Sequence, residues 1–200
     1  MREMTKKELQ QVSLDILKDV HDFCVKKDIH YSLSGGSLLG AIRHNGFIPW
    51  DDDIDIQMPR PDYDRFIHTY KSDKGYKVLS FELPEPAQKK MTYAQGRVCD
   101  MTKTFVNTGV RPWIKENVGV WIDVLPCDGI SSDPVKAREH LKKIAHLMKQ
   151  ASRMGIKYGA WTNIGEGKNL CEKIKCTIKK ILFVFCNRSP NEILNKVYKE

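Results

Sequence analysis

The segment Gly35-Gly36-Ser37-Leu38-Leu39-Gly40-Ala41-Ile42-Arg43-His44-Asn45-Gly46-Phe47-Ile48-Pro49-Trp50-Asp51-Asp52-Asp53-Ile54-Asp55-Ile56 decides how the chain is read. Four carboxylates crowd into positions 51, 52, 53 and 55. Aspartate is a poor strand former, and like charges at this density repel, so something must offset them. A divalent cation is the simplest candidate. Strand side chains alternate faces, which puts Asp53 and Asp55 on one side and turns Ile54 and Ile56 toward a core. Two hard oxygen ligands a few ångströms apart on a rigid support suit Mg²⁺ or Mn²⁺. Sixteen residues before Asp53, Gly36 and Ser37 form a turn that follows a strand and opens a helix. The free backbone N–H groups of such a turn, together with the helix dipole, can hold a phosphate.

Two familiar motifs are excluded here. Asp51, Asp53 and Asp55 match positions 1, 3 and 5 of a calcium-binding EF-hand loop, but Ile56 stands where glycine is needed and Asp62 where glutamate is needed. Pro59 and Pro61 also fall inside that loop. Gly35 and Gly40 have P-loop spacing, yet Ala41 and Ile42 occupy the Lys and Ser/Thr positions.

Working outward, Thr5 and Glu8 form a capping box, followed by Leu9, Val12, Ile16, Val20 and Phe23 at helical spacing, which predicts a helix ending near Lys27. His30 to Ser34 reads as a short strand, residues 37–44 as a helix closed by Asn45-Gly46, and Asp62 to Lys71 as a further helix. Strands are expected at Lys77 to Phe81, Met91 to Cys99 and Val118 to Leu125. After Ser132, Asp133 is an N-cap with Pro134 in the first turn, and Val135, Leu141, Ile144 and Met148 lie on one face of the helix that follows. Leu170, Ile174, Ile178, Ile181 and Phe185 mark another helix, and Ser189, Pro190 and Glu192 cap a last one. The expected architecture is α+β, a small mixed sheet flanked by helices over residues 1–133 and a basic helical region over 134–200.

The chain has 200 residues and a net charge of +8. Residues 1–134 hold 18 lysines and arginines against 20 acidic residues; residues 135–200 hold 15 against 5. So basic a C-terminal third suits an anionic partner, whether polyphosphate, glycan or membrane surface, although a solvated helical face accounts for the charge as well. No zinc-finger, helix-turn-helix or aromatic–basic pattern points to nucleic acid. The longest apolar run, Ile181 to Cys186, is six residues, far short of the roughly 20 that span a bilayer. With no signal-peptide core and no C-x-x-C pair among six cysteines, the expectation is a cytoplasmic protein with reduced thiols. Zinc held by Cys171, Cys176 and Cys186 with a histidine is disfavoured by their spacing. Peripheral contact with the inner face of a membrane, through Lys173, Lys175, Lys179 and Lys180, is compatible with a lipid-linked acceptor.

The pairing of Gly36-Ser37 with Asp53-Ile54-Asp55-Ile56, and Ile122-Asp123-Val124 later, resembles the nucleotidyltransferase superfamily, in which a third carboxylate sits on a later strand. The longer string from Gly35 to Ile56, with Pro59-Arg60-Pro61-Asp62-Tyr63-Asp64-Arg65-Phe66 and Val120-Trp121-Ile122-Asp123-Val124-Leu125-Pro126, closely resembles the LicD family from about residue 9 to 130. The resemblance implies a nucleotidyltransferase-like fold. It also implies transfer of a phospho-alcohol, typified by phosphocholine, from a CDP-alcohol such as CDP-choline to a hydroxyl of a cell-surface glycan or its precursor, as in teichoic acid or lipopolysaccharide. Asp53, Asp55 and Asp123 would then be catalytic and hold Mg²⁺ or Mn²⁺, Asp123 either as ligand or as base. Gly36 and Ser37 would seat a phosphate, with Arg43, His44 and Arg97 as further candidate substrate contacts. Surface solvation or ion pairing with Asp51 or Asp52 is the competing account of those three. A choline ammonium would want aromatic faces, and Trp50, Tyr93, Trp113, Trp121 and Trp161 are available. The alternatives are a nucleotidyltransferase that moves NMP from an NTP, and a non-catalytic module that binds anionic glycan.

Overall fold

The computed structural model describes residues 2–80, 82–84, 95–105, 118–154 and 196. The expected helices and strands around the aspartates form within these residues, except that positions 91–94 of the strand expected from Met91 lie outside them. Helix α1 (Lys6–Lys27) starts at the Thr5–Glu8 capping box and ends on Asp28 in the left-handed conformation. It is followed by β1 (Ser32–Leu33), α2 (Gly35–His44), β2 (Asp55–Pro59) and α3 (Arg60–Thr69). Strands β3 (Tyr76–Leu79), β4 (Gly96–Asp100) and β5 (Trp121–Cys127) complete one sheet. Its order is β1-β2-β5-β4-β3. Only β2 and β5 run parallel; β1–β2, β5–β4 and β4–β3 are antiparallel. This is the small mixed sheet of an α+β fold.

The period-two pattern of the strands sets what each face does. Ile56, Met58, Val98, Ile122 and Val124 are fully buried, and they form one core with Ile16 and Val20 of α1 and Tyr63 and Phe66 of α3. The interleaved residues Asp55, Gln57, Asp123, Leu125 and Arg97 are half-buried. The apolar positions thus fix the register, and the register fixes which polar residues become neighbours on the other side.

At the end of β4, the Asp100 carboxyl is almost fully buried. Burial pushes its pKa up, but donors from Thr102, Thr104 and Lys103 outweigh that and hold it below the usual range. This turn meets the start of β5, where Asp100 N–H donates to the Val120 carbonyl and Gly119 N–H donates to the Asp100 carbonyl.

By compactness the chain forms two units, one of 1–91, 95–106 and 116–130 and another of 92–94, 107–115 and 131–200. In the second unit α4 (Pro134–Met154) begins as the sequence predicts, with Asp133 Oδ1 accepting from the Val135 N–H at 2.8 Å. Its residues Val135, Leu141 and Met148 are exposed, and Ile144 is half-buried. No described helix is long and apolar enough to cross a membrane. The helices expected after residue 154, the Cys171, Cys176 and Cys186 group and the lysines near 173–180 lie outside the described residues.

The return from α2 depends on Gly40. The helix ends on Asn45 at φ 53°, and a side chain at Gly40 would meet the Gly46 carbonyl oxygen at 2.5 Å and the Ile48 nitrogen at 3.1 Å. A Cβ at Gly46 would meet nothing within 4 Å. Gly40→Ala is expected to cost about 2 kcal/mol, because the backbone must shift, while Gly46→Ala stays within about 0.5 kcal/mol. Urea unfolding of the two variants checks this pair.

Candidate active site

The site is assembled by register. Asp55 on β2 is the direct partner of Asp123 on β5, and Asp123 is the direct partner of Arg97 on β4. Ser34, just past β1, donates its N–H to the Asp55 carbonyl at 2.9 Å, so the same row runs from the start of α2 across three strands. The carboxylates from positions 55 and 123, far apart in sequence, therefore sit side by side. Arg97 Nε donates to Asp123 Oδ1 at 2.7 Å, and its guanidinium carbon lies 4.5 Å from the centre of the Trp121 ring.

Asp53 does not share this row as its spacing suggests; its oxygens gather with those of Asp51 and Asp52. Strand β2 starts at Asp55, so Asp53 belongs to the preceding loop and not to the strand face. That loop is held at several points. Lys6 and Gln10 of α1 donate to the carbonyls of Trp50 and Asp51, at 3.2 and 2.7 Å. Asp51 N–H donates to the Ile48 carbonyl, and the Ile54 carbonyl accepts from Asp123 N–H at 2.9 Å. The loop packs so closely on the start of α2 that a Cβ on Gly36 would collide with the Asp51 carboxylate. Ser37 Oγ accepts from Asp55 N–H at 2.9 Å. Gly36, by lacking a side chain, leaves room for the Asp51 carboxylate, and Ser37 holds the backbone of Asp55.

The electrostatics follow from this crowding. Partial burial, a hydrogen bond with Asp51 and the charges of Asp55, Asp51 and Asp52 push the Asp53 carboxyl up to about 6. Asp55 is raised as well, by burial and then by the charges of Asp123 and Asp51. Oxygens of Asp51, Asp52 and Asp53 lie within 4.8 Å of one another. An all-oxygen set of closely spaced carboxylates fits a hard divalent cation. Asp51 and Asp52 are the members of this cluster that the sequence reading left out of the site; their place in an unbroken Asp-Asp-Asp run was the available signal.

The other expected contacts are spread more widely. Arg43 is exposed in the last turn of α2, about 10 Å along the helix axis from Gly36. His44 lies at that same end, and its ring sits edge-on to Trp50 with centroids 6.5 Å apart. Trp50 is 70% exposed. Trp121 has Arg97 over its ring, and Tyr93, Trp113 and Trp161 lie outside the described residues. Arg97 pairs with Asp123, not with Asp51 or Asp52.

Comparison with known proteins gives the arrangement a context. The family described as LicD/FKTN/FKRP, nucleotidyltransferase domain, matches residues 28–126, the span that contains β1, α2, β2, α3 and the Asp123 strand. The lipopolysaccharide cholinephosphotransferase LicD of Haemophilus influenzae is 32% identical over 160 residues, covering 80% of this chain and 56% of the relative. The ribitol 5-phosphate transferases FKRP of Mus musculus and Homo sapiens are each 61% identical over 28 residues, 14% of this chain and 6% of theirs. The chain thus spans little more than half of the LicD relative and a small part of the other two. No solved structure matches. The domain match over the site-bearing elements and the identity that extends across four-fifths of the chain agree: this protein belongs to the LicD family.

Proposed function

We propose that the chain is a metal-dependent transferase that moves a phospho-alcohol, phosphocholine foremost, from a CDP-alcohol to a hydroxyl of a cell-surface glycan or its precursor. The observation that carries this reading is the pairing of Asp55 with Asp123 in one row, beside a loop whose Asp51, Asp52 and Asp53 gather their oxygens within 4.8 Å. The names of the relatives support it, since one is a cholinephosphotransferase acting on lipopolysaccharide and two others transfer ribitol 5-phosphate.

In such a reaction the acceptor oxygen attacks the phosphorus that bears the alcohol. The anhydride bond to CMP breaks, CMP leaves, and the hydroxyl proton passes to a base. Asp53, Asp55 and Asp123 would hold Mg²⁺ or Mn²⁺, which when bound neutralises diphosphate charge. Asp51, against Gly36, is placed to keep that carboxylate group close to the start of α2, where backbone N–H groups favour an anion. Trp50, exposed beside the aspartates, offers an aromatic face to a quaternary ammonium.

The direct test is CMP release from CDP-choline, CDP-ribitol and CDP-glycerol, with Mg²⁺ or Mn²⁺ and with EDTA as control. Metal-dependent release from one donor, reduced about 100-fold or more by Asp53→Asn or Asp55→Asn, is the expected result. Pyrophosphate release from a nucleoside triphosphate, with every CDP-alcohol inert, would instead mark a nucleotidyltransferase. Trp50→Ala is expected to raise KM for CDP-choline about three- to tenfold while the fold persists, since the ring is largely in solvent.

A second prediction concerns pH. The folded-state pKa of Asp53 is raised to about 6, so folding favours its protonated form, and the metal-free protein loses stability as pH rises toward and through 6. Asp53→Asn removes that loss. Its Tm should exceed that of the wild type at pH 7.5, with the difference vanishing near pH 4. Millimolar Mg²⁺ should close the gap at pH 7.5 by stabilising the wild type alone. Differential scanning fluorimetry across pH, with and without Mg²⁺, reads both effects, and an equal Mg²⁺ response in the two proteins would contradict the assignment.

A further inference from the structure

Arg97 stands in the same row as the carboxylates, and its contacts define what it can do. Its Nε–H is committed to Asp123 Oδ1 at 2.7 Å, and both side chains are about six-sevenths buried, at 14% and 15% exposure. Its guanidinium is stacked over Trp121, which lies two residues before Asp123 on β5. Positions 121 and 123 present their side chains on the same face of the strand, so β5 offers a ring and a carboxylate to one arginine from the neighbouring strand. An arginine whose guanidinium lies over an indole loses rotational freedom, and a partly buried, charge-assisted bond from it fixes its acceptor.

We infer that Arg97 is a positioning residue that acts through Asp123. Trp121 orients Arg97, and Arg97 holds Asp123 Oδ1 on the β4 side, so that Asp123 stays in place next to Asp55 despite the repulsion between the two carboxylates. This inference rests on the reading of Asp55 and Asp123 as ligands of a divalent cation. It replaces a phosphate-binding role for Arg97 and a choline-binding role for Trp121. Outer partners that orient a ligating carboxylate commonly change metal affinity by about ten- to a hundredfold when they are lost.

Arg97→Lys is the informative substitution, because it keeps the charge near the metal and removes the fork and the stack. Mn²⁺ binding to the full chain, measured by calorimetry without any donor, is expected to weaken about tenfold in Arg97→Lys and about threefold in Trp121→Leu. Thermal unfolding of each variant distinguishes this from a lost fold. In an Asp123→Asn background, Arg97→Lys should change Mn²⁺ affinity by less than about twofold, since the carboxylate it positions is gone. In the CMP-release assay kcat should fall while KM for the donor stays nearly constant.

Unchanged Mn²⁺ affinity in a folded Arg97→Lys variant overturns the inference. So does an effect of full size in the Asp123→Asn background, or a raised donor KM with normal Mn²⁺ binding, which would make Arg97 a donor contact. Intact Mn²⁺ binding with no turnover of any CDP-alcohol overturns the proposed reaction and leaves the role of Arg97 to be decided by the metal titrations. No Mn²⁺ binding by the wild type overturns both.

Discussion

Two carboxylates on one rung of adjacent parallel strands make a costly arrangement, and much of the structure around the site is organised by it. Strand neighbours are separated by about 4.8 Å. At an effective dielectric near 20, unit charges at such a distance repel by about 3 kcal/mol. Asp55 and Asp123 are set there by the pairing of β2 with β5 and cannot drift apart without breaking the core behind them. Ile56 and Ile122, their immediate chain neighbours, are fully buried on the opposite face. A slip of one residue in either strand would expose those isoleucines and bury the aspartates. The hydrophobic side of the sheet therefore enforces the charge contact on its polar side.

The charge contact is offset on one flank and left open on the other. Arg97 supplies a cation next to Asp123 from β4. On the β2 flank the loop adds Asp51, Asp52 and Asp53, which raises the cost further and pushes Asp53 up to about 6. A polypeptide selected only for stability has little reason to add three carboxylates where two already repel. The half-buried pair Asp55 and Asp123, fixed by register, cannot relieve its repulsion by swinging into solvent as an exposed acidic run can.

Much of this was legible in the sequence because the deciding signals are local. Helix α1 announces itself by the Thr5–Glu8 box, and α4 by Asp133-Pro134. The alternation through Ile54-Asp55-Ile56 and Ile122-Asp123-Val124 gives the inward and outward faces of β2 and β5. What sequence could not give was register, since nothing local says that Asp123 aligns with Asp55 or that Arg97 aligns with Asp123. Alternation also misplaced Asp53. The pattern of strand residues extends back to it, but backbone pairing does not, and Asp53 reaches the cluster through a loop fastened to α1. Asp51 was visible only as one more acid in a run; its contact with Gly36 depends on the tight return at Asn45.

The fastening of that loop explains why the repulsion persists. Side chains of a free acidic loop would swing outward and lose most of their interaction to solvent. Here the backbone is tied to α1 through the Trp50 and Asp51 carbonyls and to β5 through the Ile54 carbonyl, while the Asp51 carboxylate is wedged against the backbone of α2 at Gly36. Those ties involve main-chain atoms, so they hold whatever the protonation state of the aspartates. Relaxation is left to side-chain rotation, and the crowding of Asp51, Asp52 and Asp55 around Asp53 keeps its carboxyl raised. The packing of α1, α2 and the sheet thus meets the cost of holding the oxygens of Asp51, Asp52 and Asp53 within 4.8 Å of one another.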